Sequence, residues 1–135
     1  MTRKFLDALT YKIIGAAIEV HKVVGPGQLE SVYHVCMEHE LDLRKINFVS
    51  EKQVKINYKG LALDADLRCD FLVENIIVVE LKSVQEIHPV HQAQIISYMN
   101  LLKVPKGILI NFNVTNIFNE GQQTFVNKLF GMLDD

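Results

Sequence analysis

Long apolar runs are missing from this chain. No stretch approaches the roughly 20 residues that cross a bilayer, so no membrane-spanning segment is expected. The opening "MTRKFLDALTYK" mixes charges with apolar residues and lacks the apolar centre of a secretory signal, which predicts a cytoplasmic protein. Cysteine is scarce. Cys36 and Cys69 form neither a CxxC pair nor a zinc-type spacing, and they read as reduced, small buried hydrophobes. His34, His39 and His88 have no ligand spacing among themselves, so zinc is not supported. A basic excess is absent as well. The net charge of −2 gives no global signature of a nucleic-acid binder and leaves only a local basic patch open. Repeats, low-complexity segments and linkers do not stand out.

What remains is ordinary globular material. The 135 residues are 49% hydrophobic and 22% charged, which suits one domain over residues 1–135 with one core. The first 24 residues read as a helix, with Ile13, Ile14, Ala17, Ile18, His21 and Val24 at helical spacing. Gly25, Pro26 and Gly27 stop it. A second helix runs from about Gln28 to Arg44, with Leu29, Val32, Tyr33, Cys36, Met37 and Leu41 as its apolar stripe.

Strand-type sequence follows. Val54, Ile56 and Tyr58 alternate with Lys55, Asn57 and Lys59, and Lys59-Gly60 signals a turn. "LALDADLRCDFLV" reads as the next strand and "IIVVELKS" as a third, with Glu74-Asn75 at a hairpin tip. "HPVHQAQIISYMNLLK" is a helix with Pro89 in its first turn and Ile95, Tyr98, Met99 and Leu102 inward. "KGILINF" is a short internal strand, parallel to a neighbour. The tail from Asn116 fits either a hairpin at Glu120-Gly121 or a strand running into a helix. The order predicts an α/β fold with a mixed sheet flanked by helices.

One strand carries a feature that core strands lack. Glu80 and Lys82 share a face of the apolar "IIVVELKS" run. Whether Asp70 joins them depends on the hairpin tip. A two-residue turn pairs Val73 with Ile76 and puts Asp70 and Glu80 on opposite faces. A three-residue loop with Asn75 left-handed pairs Leu72 with Ile76, and Asp70 becomes a diagonal neighbour of Glu80, roughly 7–8 Å away. Both registers stay open at this point. In the second, Asp70 and Glu80 with the Leu81 backbone carbonyl would suit Mg2+, a hard ion that keeps open positions for water. Lys82 beside it would orient or deprotonate a water or offset phosphate charge. The bland alternative is a surface Asp and a strand-end Glu-Lys pair of little energetic value.

Asp70, nine residues, then Glu80-Leu81-Lys82 resembles the signature of the PD-(D/E)XK nuclease superfamily. The surrounding text is more distinctive. "IIGAAIEVHKVVGPGQLESVYHVCMEHEL", "RCDFLVENIIVVELKSV" and "HPVHQAQIISYMNLLKVPKGILINF" resemble the blocks of the GxxExxY family, whose named positions fall on Gly27, Glu30 and Tyr33. The resemblance implies a restriction-endonuclease-like αβββαβ core and a Mg2+-dependent (or Mn2+-dependent) hydrolase of nucleic-acid phosphodiesters, DNA rather than RNA. It makes Asp70 and Glu80 metal ligands and Lys82 the catalytic lysine. It adds Glu30 as a further acidic ligand and Gln94 as a helix glutamine beside the site. Cys69 stands where the superfamily signature has proline.

Several residues have plainer readings. Tyr33 fits a core-edge aromatic with a satisfied hydroxyl, and His21 a satisfied core-edge histidine. Asp64 and Asp66 fit a solvated strand edge. Lys52, Lys55, Lys59, Arg68 and Lys103 are scattered cations that could track phosphates. The rival to a nuclease is an inactive module of the same fold that binds nucleic acid or a protein partner, a homodimer included. A plain structural domain is the weakest option.

Overall fold

The structure is a computed structural model describing residues 1–135 apart from the side chain of Asp64. Helix α1 spans Arg3–Val24, with the Thr2 hydroxyl capping it by accepting from the Phe5 N–H at 3.1 Å. Helix α2 spans Glu30–Leu43. Strands β1 (Phe48–Tyr58), β2 (Leu61–Val73) and β3 (Ile77–Lys82) follow, then α3 (Pro89–Leu102), β4 (Lys106–Asn111), β5 (Gln122–Val126) and the short α4 (Lys128–Gly131). The five strands form one mixed sheet in chain order. β3 and β4 are parallel, joined through α3, and every other neighbouring pair is antiparallel.

Each face of the sheet has its own core. Ile77, Val79 and Leu81 of β3 and Ile108 and Ile110 of β4 pack with α1 and α2, under Leu6, Ile13, Tyr33 and Met37. Val78 and Leu109 face the other way, against Ile95, Tyr98 and Met99 of α3. This two-sided burial explains why β3 and β4 are apolar at successive positions. No helix among the described residues is long and apolar enough to cross a membrane.

Several expectations are corrected in detail. α2 begins at Glu30, two residues later than the apolar pattern suggests, and its buried stripe narrows to Tyr33, Met37 and Leu41. Leu29, which caps the helix, and Val32 are exposed on the side away from the buried stripe, whereas Tyr33 in the same first turn is fully buried. Ile18 likewise lies off the buried stripe of α1. In the tail, a wide helical turn over Ile117–Gly121 leads into β5, which pairs with β4 and runs into α4. The strand-then-helix alternative is the one realised.

Candidate active site

The hairpin between β2 and β3 decides where Asp70 points. Glu74 and Asn75 both adopt left-handed backbone angles (φ 51° and 57°), and the Ile76 N–H donates to the Val73 carbonyl at 3.0 Å. Glu74 is pinned there by two bonds with the Asn47 backbone. The result is a three-residue connection, but in neither expected register: Val73 pairs with Ile77, Leu72 with Val78 and Phe71 with Val79, two residues beyond the Leu72–Ile76 pairing. The shift keeps Val73 and Ile77, both fully buried, in one core. Asp70 consequently lies directly across from Glu80 rather than diagonal to it.

The backbone ladder between β2 and β3 ends after these three pairs. The two carboxylates continue it with their side chains. Glu80 Oε1 accepts from the Asp70 N–H at 3.0 Å, and Asp70 Oδ2 accepts from the Leu81 N–H at 2.7 Å. β2 also twists here. Alternation should put Cys69 and Phe71 on the same face. Instead Phe71 packs under α1 and α2 while Cys69 packs under α3. The reversal falls at Asp70, bracketed in register by Glu51 of β1, which is left-handed at φ 52°. Asp70 thereby reaches both α2 and β3.

The electrostatics follow from burial. Glu80 is 5% exposed. Burial first, and then the Asp70 charge, push its carboxyl up to about 8, against the Asp70 N–H and Lys82, which favour ionisation. Asp70 is also raised by burial, but less, because the Leu81 N–H, His34, Lys82 and a hydrogen bond with Glu80 all favour its charged form. Glu30, the first residue of α2, is raised by partial desolvation and by Asp70, with Lys82 and His34 opposing. The mutual influence of these four groups makes Glu30, Asp70, Glu80 and Lys82 neighbours at the C-terminal end of β3.

The surroundings hold that group in place. Gly25 and Gly27 take positive φ, as the loop before α2 requires. The Tyr33 hydroxyl donates to the Gly25 carbonyl and accepts from the Gln28 N–H, while its ring stacks on Phe112 at 4.3 Å. Tyr33 is therefore fully buried, deeper than the expected core edge. Ser83 Oγ ties Gln28 to the end of β3 at 2.6 Å. Buried Asn111 accepts from the Val84 and Asn113 N–H groups and donates to the Val84 carbonyl, fixing the chain just past Lys82. Gln94 donates to the Tyr98 hydroxyl at 3.2 Å, and burial and then Glu80 raise the Tyr98 phenol. Gln94 thus borders the carboxylate pair through Tyr98.

His34 belongs to this neighbourhood and was missed from the sequence. Its ring stacks on Phe71 at 4.5 Å, its Nδ1 lies 3.6 Å from Asp70 Oδ1, and its Nε2 meets Ser50 Oγ at 2.8 Å. The signal was present: Glu30, His34 and Glu38 follow one another at four-residue steps on one face of α2. Elsewhere, His21 Nε2 meets the Val114 carbonyl, the satisfied role expected of it. Asp66 is exposed and bonded to Arg68, and the Asp64 side chain lies outside the described residues. Of the five scattered cations, Lys52, Lys55, Lys59 and Arg68 share the β1–β2 hairpin, whereas Lys103 caps α3.

Among the described residues, no three His, Cys, Asp or Glu side chains close into a ready-made metal cage. The donor set nevertheless fits a hard divalent cation. It offers carboxylate oxygens, and their charging is opposed by burial and, at Glu80, by the Asp70 charge, a cost that a cation between them relieves.

The family model for the PD-(D/E)XK nuclease superfamily matches residues 7–124 of the chain. No curated protein and no solved structure matches it.

Proposed function

Because the chain belongs to the PD-(D/E)XK nuclease superfamily, we propose that it is a Mg2+-dependent nuclease of the GxxExxY type, built as one domain over residues 1–135. The observation that carries this reading is the pair of side-chain-to-backbone hydrogen bonds that joins Asp70 to Glu80 and Leu81, with Lys82 two positions beyond Glu80 on the same strand. Asp70 and Glu80 hold the cation, with Glu30 as a third acidic partner. The backbone supports the Leu81 carbonyl as a further ligand. The Leu81 N–H bonds Asp70 while the Lys82 carbonyl turns to Phe112 beyond β4, so the Leu81 carbonyl faces the Asp70 edge. When bound, Mg2+ supplies polarisation of the phosphate and a more acidic water.

The chain's own groups do the rest. The Lys82 ammonium orients the attacking water and offsets the negative charge that builds on the phosphate oxygens. Asp70 is held by the Leu81 N–H and cannot swing away. Gln94, anchored on Tyr98, positions a water or a phosphate oxygen. Attack on phosphorus then breaks one P–O bond and leaves an alcohol and a phosphate monoester. DNA is the favoured substrate.

Incubation with linear, nicked and single-stranded substrates in Mg2+ or Mn2+ tests the reading. Cleavage should appear with metal, vanish with chelator and fall by at least about 100-fold in Lys82→Ala, in line with general acid–base contributions. Cleavage that is indifferent to Lys82→Ala would sink this mechanism. Absence of cleavage and of metal binding together would favour the inactive binding module.

A further inference from the structure

The β1–β2 hairpin is far longer than the site needs. β1 has 11 residues and β2 has 13, against 6 in β3. Only Phe71–Val73 of β2 pair with β3, so the stretch from Leu61 to Asp70 runs past it, a reach of about 30 Å at strand spacing. The tip is a tight turn at Lys59-Gly60, both with positive φ, closed by Asn57 Oδ1 accepting from the Gly60 N–H at 2.9 Å. The root of this arm is Asp70 itself.

One face of the arm is continuous with the site. Lys52 pairs with Cys69 and Val54 with Leu67; past an irregularity between Val54 and Ile56, Ile56 pairs with Leu63 and Tyr58 with Leu61, so along β1 Lys52, Val54, Ile56 and Tyr58 share a face. Val54 and Cys69 lie in the core under α3. Glu80 and Lys82 alternate with Val79 and Leu81 of the opposite core and so point to this same side. Toward the tip the apolar stripe emerges into solvent: Tyr58 is 60% exposed, Leu61 59% and Leu63 43%. Lys59 Nζ stands 5.4 Å from the Tyr58 ring centre. Lys52 lies on this face of β1 and Lys59 at the turn beyond it, and neither takes part in an ion pair recorded among the described residues.

The other side of the site has the opposite charge. A cavity of about 450 Å³ opens there between α2 and β1, lined by Glu30, His34, Glu38, Glu51 and Asp70. Ser31, Val35 and Ser50 complete the lining, and its four carboxylic acids repel a phosphate backbone. A polyanion that reaches Lys82 is therefore steered away from α2 and along the arm.

We propose that the α3-side face of the β1–β2 arm holds a single-stranded segment of nucleic acid as it leads into the site. Lys52 and Lys59 contact phosphates, while Tyr58 stacks on a base with Leu61 and Leu63 beside it. This rests on the nuclease reading above and adds the path and the strandedness. A single strand fits because an exposed ring and two leucines find base faces only where bases are unpaired. DNA and RNA share that chemistry.

The test is fluorescence anisotropy with labelled single-stranded DNA, single-stranded RNA and duplex, in chelator so that no hydrolysis intervenes. At least one single strand should bind more tightly than duplex. Tyr58→Ala should weaken that binding roughly 5- to 100-fold. Replacing Lys52 and Lys59 by Ala should flatten the slope of log affinity against log salt by about 1.4, near 0.7 per lost phosphate contact. Tyr58→Ala should keep the melting temperature and the Mn2+ titration of the unaltered chain, because Tyr58 lies at the exposed end of the arm, away from the carboxylate pair. Binding unchanged in Tyr58→Ala overturns the proposal and leaves the nuclease reading intact. So does a dimer, seen by light scattering, that Tyr58→Ala dissolves without loss of nucleic-acid binding. Strand binding through the arm without metal-dependent cleavage would instead remove the nuclease reading and keep the arm.

Discussion

Replacing Glu80 by Gln should make the metal-free protein more stable at alkaline pH while destroying the proposed metal site. The folded state raises the Glu80 carboxyl from 4.5 to about 8, chiefly through burial and then through Asp70. The folded chain therefore keeps a proton that the unfolded chain releases above about 4.5. Stability is full below that pH, declines as pH rises toward about 8, and stays low beyond it. At about 1.36 kcal/mol per pH unit the ceiling on this loss is about 5 kcal/mol. Asp70 titrates together with Glu80 and shares the effect, so we take about 2–3 kcal/mol as the working figure. Gln retains an oxygen for the Asp70 N–H and carries no charge, which removes the penalty without emptying the position. Thermal unfolding in chelator at pH 9 should thus show the variant melting roughly 6–12 °C above the unaltered chain. The two should converge near pH 5. Adding Mg2+ at pH 8–9 should raise the melting point of the unaltered chain and leave Glu80→Gln unmoved. A variant that is destabilised equally at pH 5 and pH 9 would refute the account of two carboxylates held together against their charge.

Other expectations concern the supports of the site. Tyr33→Phe removes a hydroxyl that bonds both Gly25 and Gln28, so it should cost about 1–3 kcal/mol in denaturant unfolding and lower cleavage by loosening the turn before Glu30. Gly121→Ala would bring its new methyl to 2.6 Å from the Asn111 carbonyl oxygen, a backbone atom that cannot rotate away, and should cost about 1–3 kcal/mol by the same measurement.

Much of this was legible in the sequence, for identifiable reasons. β3 and β4 are short apolar runs, α3 starts on Pro89, and Lys59-Gly60 marks the tip of β1–β2; each is a local signal that the tertiary structure respects. The acid-acid-lysine set was likewise readable, because Glu80 and Lys82 interrupt a strand that is otherwise core. What stayed hidden was non-local. The register of β2 on β3 is set by burying Val73 with Ile77 and by Asn47 gripping Glu74, neither of which the tip residues announce. The reversal at Asp70 needs Glu51 in a left-handed conformation, a rare state for glutamate that strand alternation argues against. His34 escaped notice because its partners, Phe71, Ser50 and Asp70, lie on two strands. The fates of Leu29 and Val32 show the same limit: a helical stripe is buried only where a neighbour lies against it.

The central claim is that Asp70 and Glu80 jointly hold a divalent cation next to Lys82. Anomalous diffraction from crystals soaked in Mn2+ at pH 8 tests it most directly. The account predicts one strong peak within bonding distance of both carboxylates, lost in Glu80→Gln. A peak elsewhere that persists in Glu80→Gln, with none between Asp70 and Glu80, would contradict it.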